Sequence, residues 1–427
     1  MKLRIEKPIY GGSGLARAEG KAVFVPFTLP GEGVEAEIVS DKGGFSTAEL
    51  KAVLEPSPAR TDPPCLYFGQ CGGCHYQHAA YATQVEMKLA ILRETLERVR
   101  IQEIPTIQPI TAEPLGYRNR LRLHIQRHPF SLCYKFRKSH TNLPVTTCPI
   151  AAPILQRAIA TLNREGPSLA LAESVTDIEL FTDPEESALL ISLWTDLPAP
   201  AAKQLLGKMS PQLRQIIPEI RGIGIFSKER ARTTSRLLAH SGEDFLTYPS
   251  NHRRYRVSLG SFFQVNRFLI EPLVDLVTAG EQGSIAWDLY AGVGLFSLPL
   301  TEHFAEVAAV ESSPSAVRDL RENLRGTKHR IVASDTATFL RHALQQRLPA
   351  PDLIVVDPPR AGLLHDVTDA LAKIRPRKIT YVSCDPSTLS RDLAALVESG
   401  YRLRNMHLLD LFPQTYHLES ITHLSLD

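Results

Sequence analysis

Over the first 55 positions apolar and polar residues alternate in short bursts. Lys21-Ala22-Val23-Phe24-Val25 and Val34-Glu35-Ala36-Glu37-Ile38-Val39 carry the two-residue period of half-buried strands, and Gly11-Gly12-Ser13-Gly14 and Pro30-Gly31 break them. Short strands joined by tight turns suit a small β-barrel, because closure leaves no free edge. The stretch from Pro56 to Pro64 has the composition of a linker. From about Gln77 to Val99 the period lengthens, and Leu89, Leu92, Leu96 and Val99 recur at helical spacing. Alternation returns between about 115 and 165, where Arg118, Arg120 and Arg122 interleave with Leu121 and Leu123. The arginines therefore share one strand face and the leucines the other. Such an arginine face suits solvent and RNA phosphates alike. From about 165 to 245 acidic helices mix with short apolar strands, and no chemistry is legible there.

The rhythm changes near residue 255. Ile285–Leu289, Glu306–Val310, Leu353–Val356 and Ile379–Val382 are strand-like runs separated by helical stretches, the pattern of a parallel sheet with crossover helices. The expected fold class is α/β for residues 251–427, with an α+β central domain over 58–250 and the barrel over 1–57. The helix of residues 77–99 is expected to pack on the last domain. A chain of 427 residues, 43% apolar, has the length and apolar content for several cores.

Charge narrows the partners. Lys and Arg number 48 against 46 Asp and Glu, so a nucleic acid would have to be held by local patches rather than by bulk charge. Met1–Glu6 lacks the apolar region of a signal peptide, and no apolar run approaches the roughly 20 residues that cross a bilayer. A cytoplasmic protein without membrane contact, and a monomer, is the expectation. Six cysteines, unevenly placed, point to chemistry or metal rather than a disulfide framework.

Asp288-Leu289-Tyr290-Ala291-Gly292-Val293-Gly294 leaves a predicted strand and enters an apolar helix. Glycines there permit a tight turn and close backbone approach to a ligand. Glu311 ends the next strand about twenty residues on, where a carboxylate can take both hydroxyls of a ribose. The segment is not the three-glycine dinucleotide fingerprint, which weakens a case for NAD. Asp335 closes the third predicted strand, either toward an adenine amino group or as a helix N-cap. Asp357-Pro358-Pro359-Arg360 and Ser383-Cys384-Asp385-Pro386 lie past two further strands, at the carboxyl ends where open sheets place ligands. Cys384 heads a predicted helix whose positive end, with Arg391 nearby, is expected to lower its thiol pKa. Glu419 is a candidate acid or base by composition alone.

Cys65, Cys71 and Cys74 lie in a glycine-containing turn, and Cys148-Pro149 follows far along the chain. Three close thiolates plus a distant fourth can encircle an iron–sulfur cubane or a zinc ion, and spacing also leaves room for no metal.

Taken in order, Ser261-Phe262-Phe263-Gln264-Val265-Asn266, Asp288–Gly294, Asp357–Arg360, Ser383–Asp392 and Phe412–Ser420 resemble the RNA uracil-5-methyltransferases that act on ribosomal RNA and on the transfer-RNA T loop. The resemblance extends to the N-terminal barrel, which is similar to the TRAM barrel, an OB-like RNA-binding module, of enzymes acting on 23S ribosomal RNA. It implies a Rossmann-like class I methyltransferase domain and S-adenosylmethionine as methyl donor. It implies Cys384 as nucleophile and Glu419 as base, with Phe262, Phe263, Asp357 and Arg391 around the target uridine. Gln264, Asp288, Tyr290, Gly292, Gly294, Glu311, Asp335 and Asp357 would form the cofactor site. Cys65, Cys71, Cys74 and Cys148 would hold a [4Fe-4S] cluster, leaving Cys133 as an ordinary strand residue. The implied substrate is an unpaired or flipped uridine of large-subunit ribosomal RNA, with a transfer-RNA uridine or a non-catalytic RNA-binding role as alternatives. One departure is visible: the family usually has Asn where this chain has Asp385, and a carboxylate facing a thiolate would raise the thiol pKa.

Overall fold

A computed structural model describes residues 1–99, 101, 103–169, 171–228 and 235–426. Five strands between Lys2 and Glu55 close into a barrel. Its interior is Leu3, Ile5, Ala16, Val23, Val25, Val34, Ala36 and Ala48, the alternate residues that the two-residue period selects. Residues 56–64 are a fastened strap rather than a free linker. Arg60 grips the fully buried Glu32 of the barrel through two hydrogen bonds of 2.6 and 2.7 Å, and Arg60 also bridges to Ala79.

Seven strands form the central sheet, in the order Leu237–Gly242, Ile220–Ser227, Leu189–Thr195, Val175–Thr182, Arg120–Gln126, Ser131–Lys135 and Asn142–Pro144. Leu189–Thr195 is buried at all seven positions, as expected of a strand covered on both faces.

Eight strands form the sheet of the last third, in the order His329–Ala333, Phe304–Glu311, Gly283–Leu289, Leu353–Val356, Lys378–Ser383, Glu419–Leu426, Tyr401–Leu409 and Ile107–Ile110. Glu419–Leu426 runs antiparallel to both neighbours, and the remaining pairings are parallel. Leu353–Val356 is buried throughout and sits mid-sheet. The four strands read from the sequence are all present.

Two elements from the first quarter of the chain belong to this layer. Ile107–Ile110 adds the edge strand, and the helix Tyr81–Arg98 buries Val85, Ile91, Leu92 and Leu96 in the same core as Leu389, Leu393 and Leu396 of the helix Pro386–Glu398. The first of these helices starts four residues later than its periodicity indicated, because the Gln77 side chain instead accepts from the Cys65 amide at 3.1 Å. Among the described residues no helix is long and apolar enough to cross a membrane.

Candidate active site

The strand Gly283–Leu289 ends between Phe304–Glu311 and Leu353–Val356, and the chain leaves it through a turn with three left-handed residues. Tyr290, Gly292 and Gly294 have φ of 68°, 56° and 92°. A Cβ on Gly294 would come within 2.8 Å of Leu320, so both conformation and space demand glycine. Gly292 donates its amide to Glu311 Oε2 at 2.8 Å, while Ser312 and Ser313 donate to Oε1 at 2.8 and 2.6 Å. Three amides thus fix the carboxylate at the rim of a cavity of about 620 Å³, with acceptor capacity left over. Sites for drug-sized ligands span about 300–1,000 Å³, so an adenosyl amino acid fits.

Asp288 lies beneath this turn, fully buried, accepting from Ser297 with its second oxygen unpartnered among the described residues. Burial, then the charges of Asp357 and Glu311, push its carboxyl up to about 7. Asp288, Gly294, Asp335 and Arg391 do not line the cavity, the first two supporting from behind the turn that does. Asp335 caps the helix Thr336–Gln345, its Oδ1 taking the Thr338 amide at 2.9 Å, which is the N-cap role its position allowed for. Arg391 is ion-paired with Asp392 and donates to Ala361 and Leu363 carbonyls, which pins the loop after Arg360.

The other wall of the cavity is set by strand register. Lys378–Ser383 pairs with Glu419–Leu426 so that Ser383 faces Ser420. Cys384 and Glu419, the next residue on one strand and the first of the other, are thereby brought together with Asp357 from the adjacent strand end. Glu419 is 4% exposed. Phe262 stands 68% exposed at the mouth. Phe263 also touches the cavity but is buried against Tyr248 and Tyr255, at ring separations of 4.7 and 6.3 Å, and serves mainly as core. Gln264 is buried in the wall, its carbonyl accepting from Asn119 at 3.0 Å.

The thiol is not activated as its position suggested. Burial foremost, then the charges of Glu419 and Asp357, push Cys384 up to about 12. Asp385 caps the helix that follows and takes the amides of Ser387 and Thr388 at 3.0 Å each, so those N–H groups are directed at its carboxylate rather than at the thiol. Asp385 is accordingly a small influence on the thiol, the last of its causes. The opposing cation is Arg360, not Arg391. Burial and the charge of Asp357 hold the Glu419 carboxyl well above its ordinary range, and burial raises Asp357 likewise. Sequence reasoning assigned no role to Arg360 or His417. Arg360 Nη2 lies 3.3 Å from His417 Nδ1, and burial with that cation lowers the imidazole to about 3, leaving it neutral. The signal for both was there, Arg360 closing the Asp357–Arg360 motif and His417 standing two residues before Glu419.

Cys65, Cys71, Cys74 and Cys148 line a second cavity, of about 400 Å³. Burial foremost, with the neighbouring thiols adding to it, raises Cys71 to about 11 and Cys74 to about 12. Arg118 faces the same cavity with its Nε atom buried and unpartnered among the described residues, a cation suited to an anionic occupant. Among the described residues no group of three or more His, Cys, Asp or Glu side chains is arranged to hold a single metal ion. Cys133 is buried in the strand Ser131–Lys135, away from the other four. Of the remaining face arginines, Arg120 lies over Phe181 and donates to Ser261, whereas the exposed Arg122 stacks on Trp194.

The profile of the tRNA (uracil-5-)-methyltransferase family matches residues 80–426. The chain belongs to that family. A TRAM domain profile matches residues 1–51, the barrel. The chain is similar to an RNA methyltransferase of Aquifex aeolicus, 35% identical across 99% of this chain and 98% of that one. It is 32% identical to the 23S rRNA (uracil(1939)-C(5))-methyltransferase RlmD of Pectobacterium atrosepticum, over 96% of this chain and 90% of the relative. The Pyrococcus abyssi tRNA (uracil-54, C5)-methyltransferase, solved with S-adenosyl-L-homocysteine, superposes with a TM-score of 0.76 at 24% identity, covering 99% and 100% of the two chains. This uracil-5-methyltransferase family member therefore has the fold of S-adenosylmethionine-dependent methyltransferases with a TRAM barrel at its N-terminal side.

Proposed function

We propose that this family member acts in the cytoplasm, as a monomer, to methylate carbon 5 of a uridine in large-subunit ribosomal RNA. The observation that carries the reading is the register-set meeting of Cys384 and Glu419 in one cavity with the Gly292–Glu311 cradle. In this reading Gly292 and Glu311 hold the ribose of S-adenosylmethionine, and Tyr290, Gln264 and Asp288 shape the rest of its site. When bound, S-adenosylmethionine supplies an electrophilic methyl group on its sulfonium.

Carbon 5 of uracil is a weak nucleophile until the ring is converted to an enolate. Cys384 first releases its thiol proton to solvent; the thiolate Sγ then bonds to carbon 6, and its electron pair pushes charge onto the uracil oxygen. A protonated Asp357 carboxyl, favoured by its surroundings, and Arg360 stabilise that charge. Carbon 5 then takes the methyl group, Glu419 removes the proton it displaces, and elimination breaks the sulfur–carbon bond and frees Cys384. The base cannot remain stacked during attack on carbon 6, and the exposed Phe262 is placed to stack on it or to fill its vacated position.

Large-subunit ribosomal RNA is favoured by the RlmD relatives and by the barrel. Cys65, Cys71, Cys74 and Cys148, lining a cavity that the Arg118 cation also faces, fit a [4Fe-4S] cluster and would be its four thiolate ligands. The cluster's part is to hold the fold, and protein purified without oxygen should contain four irons and four sulfides per chain. Methyl transfer from labelled S-adenosylmethionine to undermodified total RNA tests the function. Label in 5-methyluridine of the large ribosomal RNA is expected; label in transfer RNA would keep the mechanism and overturn the substrate. Glu419→Gln should trap a protein–RNA adduct and Cys384→Ala should form none, whereas normal turnover by the Glu419 variant would remove it as the base.

A further inference from the structure

The loop of residues 410–418, which delivers Glu419 to the cavity, is held almost entirely by distant parts of the chain. Lys88 is completely buried, and its Nζ donates to Asp410 at 2.5 Å and to the Phe412 carbonyl at 2.9 Å. Tyr117 donates to the Pro413 carbonyl at 3.1 Å, and Asn266 to that of Leu411 at 3.1 Å. The amides of His75 and Tyr76, next to Cys74, both donate to the Gln414 carbonyl, at 2.8 and 2.9 Å. Gln84, 1% exposed on the helix Tyr81–Arg98, closes a two-way clamp on the same residue. Its Oε1 accepts from the Gln414 amide at 3.0 Å, and its Nε2 donates to Gln414 Oε1 at 3.0 Å and to the Ala79 carbonyl at 2.9 Å.

Gln414 needs that clamp. It sits at φ 69°, a left-handed conformation that a residue with a Cβ disfavours. Five residues later the chain presents the Glu419 carboxylate from the terminal pair of its strand, opposite Leu409, so relaxation of Gln414 toward negative φ would strain that last pair and shift the base within its cavity. Cys384 would keep its place, since it is delivered by a different strand, and a more distant Glu419 would raise its thiol less.

We propose that Gln84 is a positioning residue for Glu419, holding Gln414 in the left-handed conformation that aims the carboxylate at carbon 5. The proposal rests on Glu419 being the base. It assigns the helix Tyr81–Arg98, and through His75 and Tyr76 the cysteine loop, to the proton-removal step rather than to thiol addition.

The test separates those two steps. Gln84→Met keeps volume and deletes the hydrogen bonds. RNA containing 5-fluorouracil reports thiol addition and methyl transfer alone, because no proton leaves carbon 5. The variant should form that adduct at the parent rate or faster, because a displaced Glu419 raises the Cys384 thiol less, and with the parent KM for RNA. On ordinary RNA its turnover should fall by about 100-fold, the scale of an ångström misplacement, with adduct accumulating. Adding Gln414→Gly should restore most of the turnover, because glycine adopts the left-handed conformation without a clamp. Gln84→Glu keeps the acceptor for the Gln414 amide and, protonated by its burial, one donor for the facing carbonyls, so it should lose less and provides the measurement if Gln84→Met does not fold. Equal losses in adduct formation and turnover, no loss in either, or no rescue by Gln414→Gly would each overturn the proposal. Glu419→Gln is run alongside. If it accumulates adduct and the Gln84 variants do not, positioning by Gln84 falls alone; if it resolves adduct at the parent rate, the base assignment falls with it.

Discussion

Cys384 should be a poor nucleophile in the free protein, and its reluctance can be put on a scale. Burial, Glu419 and Asp357 raise its thiol from an ordinary 9.0 to about 12. At pH 8 that shift lowers the thiolate fraction by about 1,000-fold. A more basic thiolate is intrinsically more reactive, and a Brønsted coefficient of about 0.4–0.5 returns roughly 20- to 30-fold, so the net penalty is about 30- to 60-fold. The assay is alkylation by iodoacetamide, followed by mass spectrometry of the peptide that contains Cys384, across pH 7 to 10. The rate should climb about tenfold per pH unit without reaching a plateau. Glu419→Gln removes the second-largest cause and should shift the profile to lower pH; Arg360→Met removes the opposing cation and should shift it higher. Labelling as fast as an unstructured peptide, or a plateau below pH 9, would refute the electrostatic account. So would slower labelling in Glu419→Gln.

Two further outcomes concern stability. Asp288 has its carboxyl raised to about 7, so its neutral form favours folding at low pH and that contribution is lost as pH rises through about 7. Relative to the parent, Asp288→Asn should gain about 2–3 kcal/mol between pH 5 and pH 8, measured by denaturant unfolding at both values; a constant difference would contradict the shift. Arg60→Met leaves the fully buried Glu32 without its guanidinium and should weaken the barrel–strap junction by about 3–5 kcal/mol, read as faster amide exchange in residues 29–34 and 57–60. Unchanged exchange there would show that the ion pair contributes nothing.

The strands around the site were legible because their two-residue and buried-run patterns are local, and so were the motif residues, which sit at strand ends whatever the neighbours. Gly292, Gly294 and Glu311 illustrate this: a strand, a turn and the next strand's last residue are close in the chain and close in space. Arg391 and Asp335 illustrate where locality fails. Both stand near a motif in sequence, yet Arg391 is drawn to Asp392 and the 361–363 backbone, and Asp335 to the amide of Thr338. Which of two arginines faces a thiol depends on how a helix is rotated against its sheet, and the packing of Leu389, Leu393 and Leu396 determines that rotation.

The family, the order of strands and helices in the last third, and Cys384, Glu419 and the four clustered cysteines as candidates could all be read along the chain. Folding adds that Cys384 meets Glu419 through the pairing of Ser383 with Ser420, that its thiol is raised rather than lowered, and that Gln84 clamps Gln414 across 330 residues. The physical reason is that burial and charge are sums over everything nearby in space. A sequence pattern reports only what is nearby along the chain.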